Sequence, residues 1–124
     1  MLTTTGAFSG FSVSDPERAR DFYGRVLGLD VEDAGMGGIT RLSLPGGGSV
    51  ILYPKENHEP ATYTVLNLEV ADVGVAIREL GESGLEPIRY EGMPQDDDGA
   101  MRGHGPDIAW FTDPFGNIFS VIHG

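Results

Sequence analysis

Few side chains in this sequence can bind a metal or transfer a proton. The three histidines are His58, His104 and His123, and there is no cysteine. Together with Glu69 or Glu91, they have the ligand types of a metal site. Their settings argue against a shared site, since His58 lies in a polar linker, His104 in a glycine-rich loop and His123 at the penultimate position. The lack of cysteine also excludes disulfides, thiol nucleophiles and cysteine-ligated zinc.

Two further stretches have the composition of ligand-binding loops without their spacing. The glycines at 46–48 are not followed by a lysine–serine pair, so they predict a hairpin turn and not a phosphate loop. The aspartates at 96–98 lack the alternating acids and distal glutamate of a calcium loop and indicate a solvated loop. The surrounding segment 92–105 is long, polar and rich in glycine, as lids and binding loops often are. Arg102 within it is expected to pair inside the loop or to contact an anionic group of a ligand.

Composition narrows the class of partner. The chain of 124 residues has 8 basic and 19 acidic residues, a net charge of −11, and is the size of one domain. This balance argues against nucleic acid and anionic membranes as partners and leaves small neutral or cationic ligands possible. No signal-peptide pattern or membrane-length apolar run is visible, so we expect a cytoplasmic protein.

The sequence repeats one plan twice. Each half has an alternating strand that ends in valine, a small residue and aspartate, at Val13 to Asp15 and at Val70 to Asp72. Each then has an amphipathic helix with aspartate as its N-cap, and Pro16 suits the first turn of the first helix. Strand-like runs follow at 29–32, 39–44 and 49–53, and again at 86–90, 108–112 and 118–122. The sequence therefore predicts an α+β fold of two βαβββ modules, 1–57 and 63–124.

The stretches VSDPERARDFYGRVLGL, LEVADV and DPFGNIFSV carry a resemblance to the vicinal oxygen chelate superfamily. This superfamily includes glyoxalase I, extradiol dioxygenases, and fosfomycin- and bleomycin-resistance proteins. The stretches YPKENHEPATYTVLNLEV and GMPQDDDGAMRGHGPDIAWFTDP resemble a bacterial branch of it. The resemblance implies that curved mixed sheets from both modules form a cup, that the protein is a homodimer, and that inward strand positions hold any metal through His, Glu or Gln.

Transferred onto this sequence, the family's metal positions carry no usual ligand. They fall on Phe8, on Val65, on Ser120, and on Ile51 or Leu52. A phenyl ring, alkyl chains and one hydroxyl do not hold a divalent ion. We therefore expect no metal and no other cofactor, and Ser120 stands where the family has a carboxylate.

Because side chains alternate along a strand, every second residue is expected to face the implied cup. These residues combine apolar and polar side chains, as the lining of a small-molecule pocket does. Contact surface is expected from Phe8, Val65, Trp110 and Ile118, and orientation from Ser12, Asn67, Glu69 and Ser120, with His58 and Arg102 as further candidates. Trp110 could face either side of its strand. Glu69 would act as a base if its apolar surroundings raised its pKa, or pair with a cationic ligand; the alternative is a solvated carboxylate.

The favoured hypothesis is a metal-free protein that binds a small organic ligand, of the bleomycin-resistance or sequestering kind. One alternative is a metal-dependent glyoxalase-like lyase or dioxygenase with relocated ligands. Another is a metal-free isomerase with Glu69 as base, and a third is a dimeric interaction module without a small ligand. The superfamily carries many reactions on one fold, so the resemblance does not choose the ligand.

Overall fold

The computed structural model describes residues 1–35 and 37–124. The chain divides into two compact units, Met1–Glu59 (unit 1) and Pro60–Gly124 (unit 2). The predicted module bounds, 1–57 and 63–124, remain a prediction. Among the described residues, no helix is long and apolar enough to cross a membrane.

Unit 1 is a four-stranded mixed sheet with one helical segment. Its elements are β1 (Ser9–Val13), α1 (Pro16–Asp21), β2 (Asp30–Asp33), β3 (Thr40–Ser43) and β4 (Ser49–Pro54). The strand order is β1-β4-β3-β2, with β1 parallel to β4 and the other neighbours antiparallel. The first strand therefore lies beside the last one.

The first helix begins as the sequence predicted and then widens. The carboxylate of Asp15 accepts a hydrogen bond from the Arg18 N–H at 3.2 Å, so Asp15 is the N-cap. The helix continues as a π-helical turn, Phe22–Val26, closed by the Leu27 N–H donating to the Phe22 carbonyl at 3.0 Å. Phe22 and Tyr23 are buried in the core of unit 1, with Phe11 and Val13 of β1. The buried side of β1 therefore carries Phe11 and Val13.

Unit 2 is a three-stranded mixed sheet covered by a ten-residue helix. Its elements are β5 (Thr64–Val70), α2 (Val73–Glu82), β6 (Ile108–Thr112) and β7 (Ile118–His123). The order is β5-β7-β6, with β5 parallel and β6 antiparallel to the central β7. Asp72 caps α2 by accepting from the Val75 N–H at 3.1 Å. The helix packs on β6 and β7, where the stacked rings of Phe111 and Phe119 lie 5.6 Å apart.

One predicted strand does not form. The structure describes all of the segment 86–90, and it is irregular there. Pro87 has no N–H to donate to a neighbouring strand. Ile88 makes one strand-like bond, from its N–H to the Trp110 carbonyl at 2.7 Å. The side chain of Gln95 then bonds the Ile88 carbonyl at 2.9 Å and the Tyr90 N–H at 2.8 Å, which replaces ladder bonds. The α+β class of two βαβββ-like modules is confirmed, with three strands in the second sheet.

Candidate functional site

The strand register of unit 2 brings three of the predicted site residues into one row. Asn67 of β5 lies opposite Ser120 of β7, and Ser120 lies opposite Trp110 of β6. Paired residues project from the same face of a sheet. We call this face, opposite α2, the distal face of unit 2. It carries Asn67, Ile108, Trp110, Ile118, Ser120 and Ile122.

Ser120 and Asn67 form the polar centre of the distal face. The Ser120 hydroxyl donates to Asn67 Oδ1 at 2.6 Å, and Ser120 is fully buried while Asn67 is exposed. Because the planar carboxamide presents its oxygen to Ser120, its Nδ2 group is directed away from Ser120. Ser120 therefore positions Asn67 as a hydrogen-bond donor for a group outside the strand.

Trp110 supplies aromatic surface beside this polar pair. Its register with Ser120 settles the face that the sequence left open, and the flanking Ala109 and Phe111 are buried on the α2 side. The indole ring meets Tyr90 edge to face, with centroids 5.4 Å apart and planes at 86°. Tyr90 was not among the predicted site residues, because its position depends on the irregular segment 86–90. Trp110 remains partly exposed and can contact a ligand.

The other two predicted site residues of β5, Val65 and Glu69, do not have the surroundings that the sequence predicted. The register of β5 against β7 shifts between Thr64 and Leu66. Thr64 pairs with Ile118 and Leu66 pairs with the next residue, Phe119, so β5 has one extra residue here. Val65 is therefore the bulged residue, and the predicted alternation of Val65 with Asn67 is interrupted. Glu69 lies opposite Ile122 and is exposed, so unit 2 does not provide the apolar enclosure that the base hypothesis assumes.

Unit 1 places two predicted site residues in direct contact. Ser12 Oγ and His58 Nδ1 are 2.6 Å apart, and both residues are partly buried. Phe8 precedes β1 and is 67% exposed, so in this structure it presents its ring largely to solvent. At the fourth family position, Leu52 is buried in the core, while Ile51 pairs with Gly10.

Arg102 lies among three aspartates, two of them in its own loop. Its guanidinium contacts Asp98 at 2.8 Å and Asp96 at 2.9 Å, and its Nε lies 3.8 Å from Asp107. The hydrogen bonds that Arg102 donates lower the pKa of Asp98, and because Asp98 and Asp96 accept them, the same bonds raise the pKa of Arg102. Both shifts favour the charged forms of Asp98 and Arg102. Of the two roles the sequence left open for Arg102, the structure shows pairing inside the loop.

The loop 92–105 is also tied down by side chains that bond backbone atoms. Gln95 Nε2 donates to the Gly99 carbonyl at 2.7 Å as well as to Ile88. The guanidinium of Arg89 donates to the carbonyls of Asp96 and Asp97. These bonds give the loop a defined conformation, which a freely moving lid would lack. Gln95 was not recognised in the sequence because its three backbone partners lie outside any regular element.

The side chains at the family's metal positions do not fit a divalent ion. Among the side chains of Phe8, Val65, Ser120 and either Ile51 or Leu52, the only oxygen is that of the Ser120 hydroxyl, which donates its proton to Asn67. In residues 1–35 and 37–124, no three His, Asp or Glu side chains are grouped so that they could hold a metal. The relocated site of His58, His104 and His123 is therefore not assembled in the described part of the chain.

Comparison with known families agrees with the fold and the topology. The sequence model of the Glyoxalase/Bleomycin resistance protein/Dioxygenase superfamily matches residues 7–121. The chain belongs to this superfamily. No curated protein sequence matches it significantly.

Solved structures with the same fold cover nearly the whole chain. A superfamily member from Sphaerobacter thermophilus is 26% identical, with a TM-score of 0.69, over 96% of this chain and 98% of that one. TnmS3, an antibiotic binding protein from Streptomyces sp. CB03234, is 24% identical, with a TM-score of 0.68, over 98% of each chain. The fosfomycin resistance protein FosX from Listeria monocytogenes is 11% identical, with a TM-score of 0.73, over 99% and 95%. At these identities the last two show a shared fold.

Proposed function

We propose that this protein binds a small organic molecule without a metal, and that the distal face of unit 2 makes the main contact. The observation that carries the proposal is the row formed by Asn67, Ser120 and Trp110. At the position of the family's metal carboxylate, the buried Ser120 hydroxyl orients an amide donor beside a partly exposed indole. Apolar surface with a few oriented polar groups is the make-up of ligand sites.

The chemistry of the row indicates the kind of ligand. Trp110 with Ile108, Ile118 and Ile122 offers aromatic and aliphatic contact, and the Asn67 Nδ2 group offers a hydrogen bond to an acceptor such as a carbonyl. The net charge of −11 favours a neutral or cationic molecule over an anionic one. TnmS3 is described as an antibiotic binding protein, which supports capture of such a compound as the activity. We further propose that the protein is a homodimer and is located in the cytoplasm.

Metal content is the first test. Untagged protein is analysed by mass spectrometry as purified, and again after incubation with Zn²⁺, Mn²⁺, Fe²⁺ or Ni²⁺ followed by desalting. We expect well under one equivalent of metal throughout. Retention of one equivalent of metal per protein chain would overturn the metal-free proposal and favour the lyase and dioxygenase alternatives.

Ligand binding is tested through Trp110, which is the sole tryptophan of the sequence. Its fluorescence is titrated with bleomycin and with a library of neutral and cationic aromatic compounds, and hits are confirmed by thermal shift, since a ligand of the native state raises Tm. For a hit we expect Asn67→Ala to weaken binding about 5- to 100-fold. Asn57→Ala, an exposed asparagine of unit 1, is the matched control and should bind normally. No hit from the library, or equal affinity of both variants, would contradict this assignment.

A further inference from the structure

Ser12 and His58 form a close contact between a hydroxyl and an imidazole nitrogen in unit 1. Ser12 Oγ and His58 Nδ1 are 2.6 Å apart, a short hydrogen bond between residues 46 positions apart in sequence. In the imidazole tautomer that has its proton on Nε2, Nδ1 accepts from the Ser12 hydroxyl. A hydroxyl that donates to an imidazole nitrogen is the arrangement by which proteins activate a serine nucleophile.

Backbone bonds on both sides hold the two side chains together. Ser12 lies on β1, opposite Tyr53 of β4, and its neighbours Phe11 and Val13 are anchored in the core. After β4, the Lys55 N–H donates to the Val13 carbonyl at 2.9 Å, which extends the parallel pairing of β4 with β1 by one bond. The His58 N–H then donates to the Lys55 carbonyl at 3.1 Å. The turn that follows β4, at the end of the parallel strands β1 and β4, therefore places the imidazole of His58 beside Ser12.

The pair also lies where a small molecule can reach it. In β1 the residues alternate, so Ser12 projects from the face of the unit 1 sheet opposite the buried Phe11 and Val13. Ser12 and His58 are both partly exposed. A core hydrogen bond that serves packing alone is normally closed to solvent, whereas a nucleophile has to meet its substrate.

We propose that Ser12 and His58 form a nucleophile and general base that hydrolyse small neutral or cationic carboxylic esters. Ser12 Oγ attacks the ester carbonyl carbon, a C–O bond forms, and the hydroxyl proton passes to His58 Nδ1. The bond to the alcohol oxygen breaks, and the imidazolium protonates the departing alcohol. A water molecule, deprotonated by His58, then attacks the acyl group on Ser12. The bond from the acyl carbon to Ser12 Oγ breaks, the carboxylic acid leaves, and the imidazolium returns its proton to Ser12 Oγ. Ester and water are consumed, and acid and alcohol are produced, with no redox change.

The first experiment labels the native protein with a fluorophosphonate probe and locates the adduct by peptide mass spectrometry. We expect one adduct, on Ser12, that is absent in Ser12→Ala and reduced about 100-fold or more in rate in His58→Gln. Ser9→Ala and His104→Gln change exposed residues of the same types and should label like the native protein. No adduct on Ser12, or equal labelling in His58→Gln, would overturn the proposal.

The second experiment uses the absence of cysteine from the sequence. Ser12→Cys introduces a single thiol, and its reaction with iodoacetamide at pH 7 measures activation by His58. We expect a rate about tenfold above that of Ser9→Cys, because an imidazole partner raises the thiolate fraction. Adding His58→Gln to Ser12→Cys should remove the difference. Equal rates for Ser12→Cys and Ser9→Cys would show that the hydrogen bond is structural and overturn the proposal.

Steady hydrolysis is measured with p-nitrophenyl acetate, corrected for the rate of Ser12→Ala, which reports reaction at other nucleophiles. We expect the native rate to exceed that of Ser12→Ala by a factor of about 10 or more. An equal rate overturns ester turnover. None of these residues belongs to the distal face of unit 2, so this test and the test of ligand binding at Asn67 succeed or fail separately.

Discussion

The hydroxyl of Ser120 donates a hydrogen bond to Oδ1 of Asn67 across the parallel strands β5 and β7, at 2.6 Å. Ser120 is fully buried, and Asn67 is exposed. The bond therefore runs from the interior of unit 2 to its surface. Ser120 orients Asn67, and the single proton of its hydroxyl is used in doing so.

Replacing this hydroxyl tests the energetic value of the pair. Ser120→Ala should lower the free energy of unfolding by about 1 kcal/mol, the usual net value of one hydrogen bond. Asn67 Oδ1 is on an exposed side chain and can turn to water, which keeps the loss small. Urea unfolding followed by circular dichroism measures it, with the exposed Ser9→Ala as control. A loss equal to that of the control would show that the bond does not stabilise unit 2.

The ion pair of Asp98 and Arg102 should make loop stability depend on pH. Hydrogen bonds from Arg102 lower the pKa of folded Asp98 below the unfolded value of 3.8. A group whose pKa is lowered by folding stabilises the fold above its unfolded pKa, and this contribution is lost as the pH falls through the folded pKa. Since both side chains are over one-third exposed, Asp98→Asn should cost only about 0.5 to 1 kcal/mol at pH 7.

The cost of Asp98→Asn should shrink below pH 3.8 and disappear once Asp98 is protonated. Urea unfolding of native protein and variant at pH 7, 5 and 3 measures the trend. Asp97→Asn is the matched control, because Asp97 is the exposed neighbour whose backbone carbonyl, and not its carboxylate, bonds Arg89. A cost that stays constant with pH would contradict the linkage.

The turn between β6 and β7 should depend on the buried carboxylate of Asp113. Its Oδ1 accepts from the N–H groups of Phe115 and Asn117, both at 2.8 Å, and its Oδ2 accepts from Asn117 Nδ2 at 3.0 Å. Asp113→Ala leaves these donors without their acceptor and should cost about 2 to 4 kcal/mol. Asp113→Asn keeps one oxygen but turns an NH₂ group toward Asn117 Nδ2, so an intermediate loss is expected. Thermal and urea unfolding of both variants measure the two losses of stability. A larger loss for Asp113→Asn than for Asp113→Ala would refute this account of the turn.

Close packing of Gly10 against Ile51 predicts a coupled pair of substitutions. A Cβ on residue 10 would lie 2.8 Å from Ile51 Cγ1 and 3.2 Å from its carbonyl oxygen. Gly10→Ala should therefore cost about 1 to 3 kcal/mol. In an Ile51→Ala background the cost should fall by about 1 kcal/mol, because Cγ1 is gone while the carbonyl remains. Gly6→Ala, where no atom lies within 4 Å, is the neutral control. Additive costs in the double variant would contradict the contact.

Local patterns predicted what local chemistry determines. Asp15 and Asp72 were recognised as N-caps because cap geometry involves only the next three residues, and both caps are present. The alternating strand predicted before Asp15 is present as β1, with Phe11 and Val13 buried on one side. The four family metal positions were found to lack ligands by residue type alone, which needs no coordinates.

Features that depend on distant residues were not predictable in the same way. The irregular segment 86–90 is set by the side chain of Gln95, and the bulge at Val65 by the register of β5 on β7. The face of Trp110 required the register of β6 with β7. The contact of Ser12 with His58 depends on how the linker turns back after β4. Ser12 and His58 were both candidate site residues in the sequence, but no sequence pattern predicted that their side chains are in contact.

The strand order has a consequence for how the chain folds. In each unit the strand synthesised last lies beside the first, since β4 pairs with β1 and β7 with β5. Antiparallel hairpins such as β6 and β7 close over a short turn and form quickly, whereas a parallel partner must wait for a long loop to close. The opening strand of each unit is therefore the last to be paired. During translation β5 stays an unprotected edge until β7 has emerged, and this interval is when a nascent chain is most exposed to pairing with a neighbour.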